Sequence, residues 1–154
     1  MRYLFGLLVA LVLAPVYVLS QAPAPAQPRT PVSTPVYVDH DKVAAALAKG
    51  GPIVTASDVL VSGSHRDKPG QVEVHDKEMD VIYVVDGTAT FVSGGKIVGA
   101  KSSRPEQWLG TDITGGTTQK LVKGDVIVVP AGTPHWFKEV PGPISYYVVK
   151  VVKP

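Results

Sequence analysis

Four residues spread over two stretches of the chain are of types that hold metals or move protons. Glu73 and His75 stand one residue apart, Asp80 follows five positions on, and His135 arrives far downstream. Side chains alternate between faces along a strand. Glu73 and His75 therefore share one face, with Val72 and Val74 on the other. In the next stretch Asp80 shares a face with Ile82 and Val84, and His135 shares one with Phe137. If the two upstream strands neighbour each other across the short 76–79 connection, Glu73, His75 and Asp80 converge. A histidine delivered on a separate strand completes the set. Two imidazoles and two carboxylates held on rigid strands and facing inward make an N₂O₂ site for a divalent transition metal. The same groups facing water would be ordinary solvated side chains.

Composition narrows the other chemistries. The chain has 154 residues, enough for one domain. Fifteen Lys+Arg against 13 Asp+Glu give a net charge of +2, too even for an electrostatic nucleic-acid binder. There is no cysteine, which removes disulfides, thiolate zinc sites, Fe–S clusters and thiol nucleophiles together. No P-loop, dinucleotide turn, Ser/His/Asp motif or DNA-reading helix is present.

The elements that must position the four residues are short. Residues 1–20 carry one arginine, then a nearly unbroken apolar run to Leu19 and a small residue, Ser20. This is the pattern of a secretory signal, and the run is short for a spanning helix, which needs about 20 apolar residues. The expectation is export to the periplasm or beyond, with an uncleaved amino-terminal anchor as the alternative and no other membrane contact. Residues 21–35 are rich in Pro and Ala and read as a solvated linker, so the folded domain is expected over 36–154. One helix is expected, capped by Asp39 or His40, running through 43–48 and stopped by Gly50-Gly51. Only Val43 and Leu47 are bulky there, enough for one thin stripe on a core.

Beyond Pro52 the pattern is strand and turn, with short apolar runs at 53–56, 59–62, 71–75, 81–85, 88–92, 96–98, 119–122, 126–129, 135–138 and 144–152. Asp86-Gly87 is a two-residue hairpin turn. Residues 126–129 show no alternation and are expected to be buried on both faces. Residues 101–116 form a long polar stretch around Trp108, a length often found in lids. Many short strands at this spacing give an all-β sandwich or closed barrel.

The second of the two stretches carries a recognisable pattern. Gly124-x5-Pro130-x-Gly132-x2-His135 resembles the second motif of the cupin superfamily. Glu73-x-His75-x4-Asp80-x6-Gly87 is similar to its first motif, with two departures: Glu73 stands where the family has its first His, and Asp80 where it has Glu. A later family Asn is replaced by Glu139. The resemblance covers about residues 59–152. It implies a double-stranded β-helix, commonly a homodimer, with one divalent ion (Fe, Mn, Ni or Zn) deep in the barrel mouth. Asp80 is one methylene shorter than Glu and must approach more closely. Glu73 adds negative charge and favours harder ions; alternatively it serves as a general base beside a His75/Asp80/His135 triad.

Four further residues are candidates for contact with substrate. His65 and Arg66 precede the first motif and could meet an anionic ligand. Trp108 could close over a ligand or pack on the outside. Trp136, Phe137, Tyr146 and Tyr147 cluster near the end of the chain; core and interface is their default, and Tyr147 is the candidate for lining a pocket. Lys77 and Glu78 are expected to be solvated. The functional expectation is an exported, metal-dependent enzyme, dioxygenase- or isomerase-like, acting on a small oxygenated molecule. A non-catalytic barrel that binds a small molecule or metal is the alternative, and a purely structural assembly unit the third reading.

Overall fold

The structure is a computed structural model, and it describes residues 29–153. The export signal expected at 1–20 and most of the linker lie outside these residues. The end of the expected linker is tied down: the Val32 N–H donates to Asp58 Oδ1 at 3.1 Å, and the Ser57 N–H donates to the Thr30 carbonyl at 3.1 Å. Among the described residues no helix is long and apolar enough to cross a membrane.

A single helix, α1 (His40–Lys49), leads into the strands. The Asp39 carboxylate accepts the Lys42 N–H at 3.0 Å, and Gly50 ends the helix at φ +77°. The thirteen strands are β1 (Gly51–Thr55), β2 (Val59–Arg66), β3 (Val72–His75), β4 (Glu78–Asp86), β5 (Thr88–Ser93), β6 (Lys96–Val98), β7 (Lys101–Arg104), β8 (Gln107–Gly110), β9 (Asp112–Thr114), β10 (Thr117–Val122), β11 (Val126–Val129), β12 (His135–Glu139) and β13 (Ile144–Val152). They form a five-stranded sheet in the order β1-β2-β13-β4-β11, a six-stranded sheet in the order β10-β5-β12-β3-β8-β7, and a small β6-β9 pair. All strand pairings are antiparallel. From β2 to β5, and again from β10 to β13, consecutive strands alternate between the two large sheets, which is the double-stranded β-helix expected from the motifs.

The core sits between the two sheets. Ile82, Val84, Val129, Ile144 and Tyr146 from one sheet meet Ala89, Phe91, Leu121 and Phe137 from the other. Phe137 stands edge-on to Phe91 at 4.9 Å between ring centroids and stacks on Tyr146 at 4.8 Å. The helix covers the outside of β2, as its thin stripe implied. It approaches so closely that a Cβ on Gly63 would stand 2.5 Å from the Ala46 carbonyl carbon. Only glycine at this position admits the helix backbone.

Three expectations need correction. Asp86-Gly87 does not close a hairpin: β4 and β5, on either side of it, lie in opposite sheets and do not pair. Residues 126–129 are not buried on both faces: Val126 and Val128 are 60% and 53% exposed, whereas Val129 is buried. The strand they form is at the sheet's edge, and nothing among the described residues covers its outer side. Residues 101–116 are not a loose lid either. They form β7, β8 and β9, and β8 pairs with β3 from Val72↔Gly110 to His75↔Gln107. Polar side chains suit that position because β7 is the outermost strand and exposed along its whole length.

A candidate metal centre

The four chemically suspicious residues do meet, though by a different route from adjacency. β3 and β4 are not neighbours in one sheet. They lie in opposite sheets, joined by Asp76 and Lys77 alone, and their inward side chains face each other across the barrel. His135 comes in on β12, directly opposite Glu73. Its approach is fixed by the turn before it. Gly132 adopts φ +78°, which favours glycine, and its N–H donates to the His75 carbonyl at 2.8 Å. One backbone bond thus ties the two histidine-bearing segments together.

The tips converge on a small volume. His75 Nε2 lies 3.4 Å from Glu73 Oε2 and 3.7 Å from Asp80 Oδ2. His135 Nε2 lies 3.6 Å from that same Asp80 oxygen. His75, Asp80 and His135 are buried, and Glu73 is half-buried at the rim. The rings of His75 and His135 are 5.3 Å apart between centroids.

The tautomers suit ligation. His135 Nδ1 is 3.1 Å from the Thr133 carbonyl. A carbonyl only accepts, so the proton belongs on Nδ1 and the lone pair on Nε2 faces the cluster. Both ring nitrogens of His75 are buried without a hydrogen-bond partner. Its Nδ1 faces Glu78 Oε2 at 3.5 Å, the place where metal-bound imidazoles commonly meet a carboxylate. Burial holds the His135 pKa below its usual value, outweighing the Thr133 carbonyl and Asp80. A neutral imidazole is the form that ligates. Burial raises the Glu73 carboxyl, but the bond with His75 and the charges of His135, His75 and Lys150 overcome it and leave the pKa lowered.

These features fit a divalent ion. Donors at about 2.0–2.2 Å around a tetrahedral metal stand roughly 3.3–3.6 Å from one another. The Glu73–His75, His75–Asp80 and His135–Asp80 separations of 3.4, 3.7 and 3.6 Å approach this, and the mutually close sets are two triads that share His75, namely Glu73/His75/His135 and His75/Glu78/Asp80. The orphaned His75 nitrogens are the second indication, because buried polar groups without partners are rare.

Two residues near the site were not foreseen in this role. Glu78 was expected to be solvated. The strand begins three residues earlier than its apolar run, so Glu78 points inward with Asp80, and its side chain is only 16% exposed. Lys150 stands directly opposite Asp80 on β13 and binds both its carboxylate oxygens, at 2.8 and 3.0 Å. The clue to Lys150 was alternation in 144–152, where it shares a face with Tyr146 and Val148. Burial raises the Glu78 pKa, but Lys150, His75 and Arg104 overcome this and lower it.

The centre opens on a cavity of about 60 Å³ whose lining includes Arg66, Gln71, Phe137, Tyr146 and Lys150. That is room for a few waters or one small ligand. Among the residues expected to touch substrate, Arg66 is there. Its guanidinium lies 5.1 Å from the Phe137 ring centroid, and its Nε is buried without a partner. The other three are elsewhere. His65 alternates outward and bonds Ser145 Oγ through Nδ1 at 3.0 Å. Trp108 pairs with Val74 on the face away from Glu73, and its indole N–H donates to Asp76 at 3.0 Å. Tyr147 pairs with Tyr83 and Gly63 on the outer face, while its neighbour Tyr146 takes the inward place. Glu139, at the position of the family Asn, accepts a hydrogen bond from Thr90 at 2.7 Å and does not line the cavity.

Comparison with known proteins gives the same architecture. A family model described as Cupin matches residues 64–150. No curated protein matches the chain. Among solved structures, a Bacillus halodurans protein is 15% identical with a TM-score of 0.55, over 81% of this chain and 87% of that one. A Klebsiella pneumoniae protein described as having a double-stranded beta-helix domain is 17% identical with a TM-score of 0.46, over 66% and 73%. KdgF from a Halomonas species is 14% identical with a TM-score of 0.48, over 68% and 77%.

Proposed function

The chain belongs to the cupin family, and from that premise we propose that it binds one divalent transition metal through Glu73, His75, Asp80 and His135, drawing on the two close triads that share His75, and acts on a small oxygenated substrate. The observation that carries this reading is the meeting of two imidazole Nε2 atoms with Asp80 Oδ2 and Glu73 Oε2 beside a cavity. Bound there, a divalent ion supplies Lewis-acid or redox chemistry.

The protein's own groups would do the rest. Gly132 and Thr133 hold His135 in position and tautomer. Glu73, at the rim with its pKa lowered, suits a ligand. As a general base it would be weak, because a base works best with a pKa near the working pH. Arg66 lines the cavity without a carboxylate partner among the described residues and would bind an oxygen-bearing or acidic end of the substrate.

Elemental analysis tests the reading. Purified protein is expected to carry about one ion per chain, and His75→Ala or His135→Ala to carry none. Protein grown in Fe, Mn, Ni and Zn that retains none of them would end it. Export is part of the proposal on the strength of residues 1–20, and an amino-terminal sequence of protein recovered outside the cytoplasm would check it. So is a homodimer. The outer face of the five-stranded sheet presents Tyr83, Val126, Val128 and Val151, all more than a third exposed, and offers an apolar surface for a second copy. Sedimentation of Val126→Lys/Val128→Lys is expected to shift toward the monomer.

A further inference from the structure

Lys150 is placed oddly for a lysine. Its side chain is only 20% exposed and points into the polar end of the barrel, where a divalent cation would compete with it. It donates hydrogen bonds to Asp80 Oδ1 at 2.8 Å and Oδ2 at 3.0 Å. Oδ2 is also the oxygen that faces both His75 Nε2 and His135 Nε2. The ammonium thus sits on the ligand atom most central to the site. Its backbone cannot drift away, because β13 and β4 pair Lys150 directly with Asp80.

A second carboxylate stands within reach. Glu78 Oε2 is 3.1 Å from Lys150 Nζ, yet it is buried and has no aligned hydrogen bond. It is an open acceptor beside an ammonium already engaged elsewhere. Arg104 meets the other Glu78 oxygen, Oε1, at 3.6 Å, so Oε2 faces only Lys150 and, at 3.5 Å, His75 Nδ1. A small rotation of a flexible four-carbon side chain would carry the ammonium from Asp80 to Glu78.

We propose that Lys150 is a displaceable stand-in for the metal: it neutralises Asp80 in the metal-free protein and passes to Glu78 when a divalent ion takes Asp80 Oδ2. The inference rests on the metal reading above and adds a determinant of affinity to it. Without Lys150 the centre would hold Glu73, Glu78 and Asp80 close together with Arg104 beside Glu78 and Arg66 across the cavity, and the buried Asp80 would be left without an ammonium partner, an arrangement that costs stability. With Lys150 the centre stays assembled, but an incoming ion must displace a bound cation and tolerate its charge nearby. Lys150 therefore stabilises the empty site and weakens binding to it.

The test is a double-mutant cycle on metal affinity. Full-length protein, stripped by chelator, is titrated with Mn²⁺ and Zn²⁺ against a chromophoric competitor. Lys150→Met is expected to bind at least tenfold more tightly than wild type. Glu78→Gln is expected to bind several-fold more weakly, because Lys150 then has nowhere to go, and this loss should vanish in Lys150→Met/Glu78→Gln. Equal or weaker affinity in Lys150→Met overturns the proposal, as does a Glu78→Gln loss of the same size in both backgrounds, which would make Glu78 act through His75 or on the ion and not through Lys150. If Lys150→Met does not fold, Lys150→Gln takes its place in the cycle with the same expectation. Wild type binding ions with Lys150→Met no tighter removes this inference alone. Wild type binding none while Lys150→Met binds removes the native metal and keeps the competition, and neither binding removes both.

Discussion

The interior of the barrel has two ends, and one strand runs through both. The inward residues of β4 are Glu78, Asp80, Ile82 and Val84 in turn. On neighbouring β13 the inward residues run the other way, Val152 opposite Glu78, Lys150 opposite Asp80, Val148 opposite Ile82 and Tyr146 opposite Val84. The apolar end packs Phe91, Phe137 and Tyr146 as in any core. The polar end holds three acids, two histidines and a lysine around a cavity. The same two strands pair at both ends, with one register shift at the apolar end between Ser145 and Tyr146. The difference lies in the side chains: one end gains stability by excluding water, while the other gives some of it up to keep charged groups pointed at one place.

That division predicts a graded set of effects. Phe91→Ala, at the apolar end, is expected to cost about 3–5 kcal/mol in denaturant unfolding, whether or not metal is present. Saturating metal acts at the other end and is expected to add about 2.7 kcal/mol at a hundredfold excess over Kd. Thermal unfolding should show this gain in wild type and lose it in His135→Ala. Stabilisation of His135→Ala by the same ion would place binding elsewhere and break the comparison. Gly132→Ala forces a side chain into a left-handed conformation, at about 1–2 kcal/mol. Because the Gly132 turn positions His135, metal affinity should fall alongside stability. Trp108→Phe, outside both ends, is expected to change stability by about 0.5 kcal/mol or less and metal content not at all. A loss of metal in that variant would mean that the outer face of β3 helps to set the centre.

Much of the fold was legible because glycines, prolines and alternating apolar residues leave few other arrangements. The helix ended where Gly50 required, and His75, Asp80 and His135 fell on inward faces by period-2 counting. What misled was reading local sequence without knowing which faces and edges stay uncovered. The valines at 126 and 128 look like core, but they lie on the outer face of their sheet, level with exposed Tyr83 of the interior strand β4, and nothing among the described residues covers that part of it. Residues 101–116 look like loop because an outermost hairpin needs few apolar side chains. His65 and Arg66, adjacent in the chain, part company because alternation sends only one of them inward.

The chain by itself settled which residues could take part in the chemistry and the strand phase that turns them inward, because alternation is a property of the backbone and needs no partner. Which sheet each strand joins was decided only in three dimensions. That choice set Glu73 and His75 across the barrel from Asp80, drew Glu78 in from an apparent turn, and laid Lys150, 70 residues away from Asp80, onto its carboxylate. Cross-strand register is a long-range pairing, and only the assembled sheets fix it.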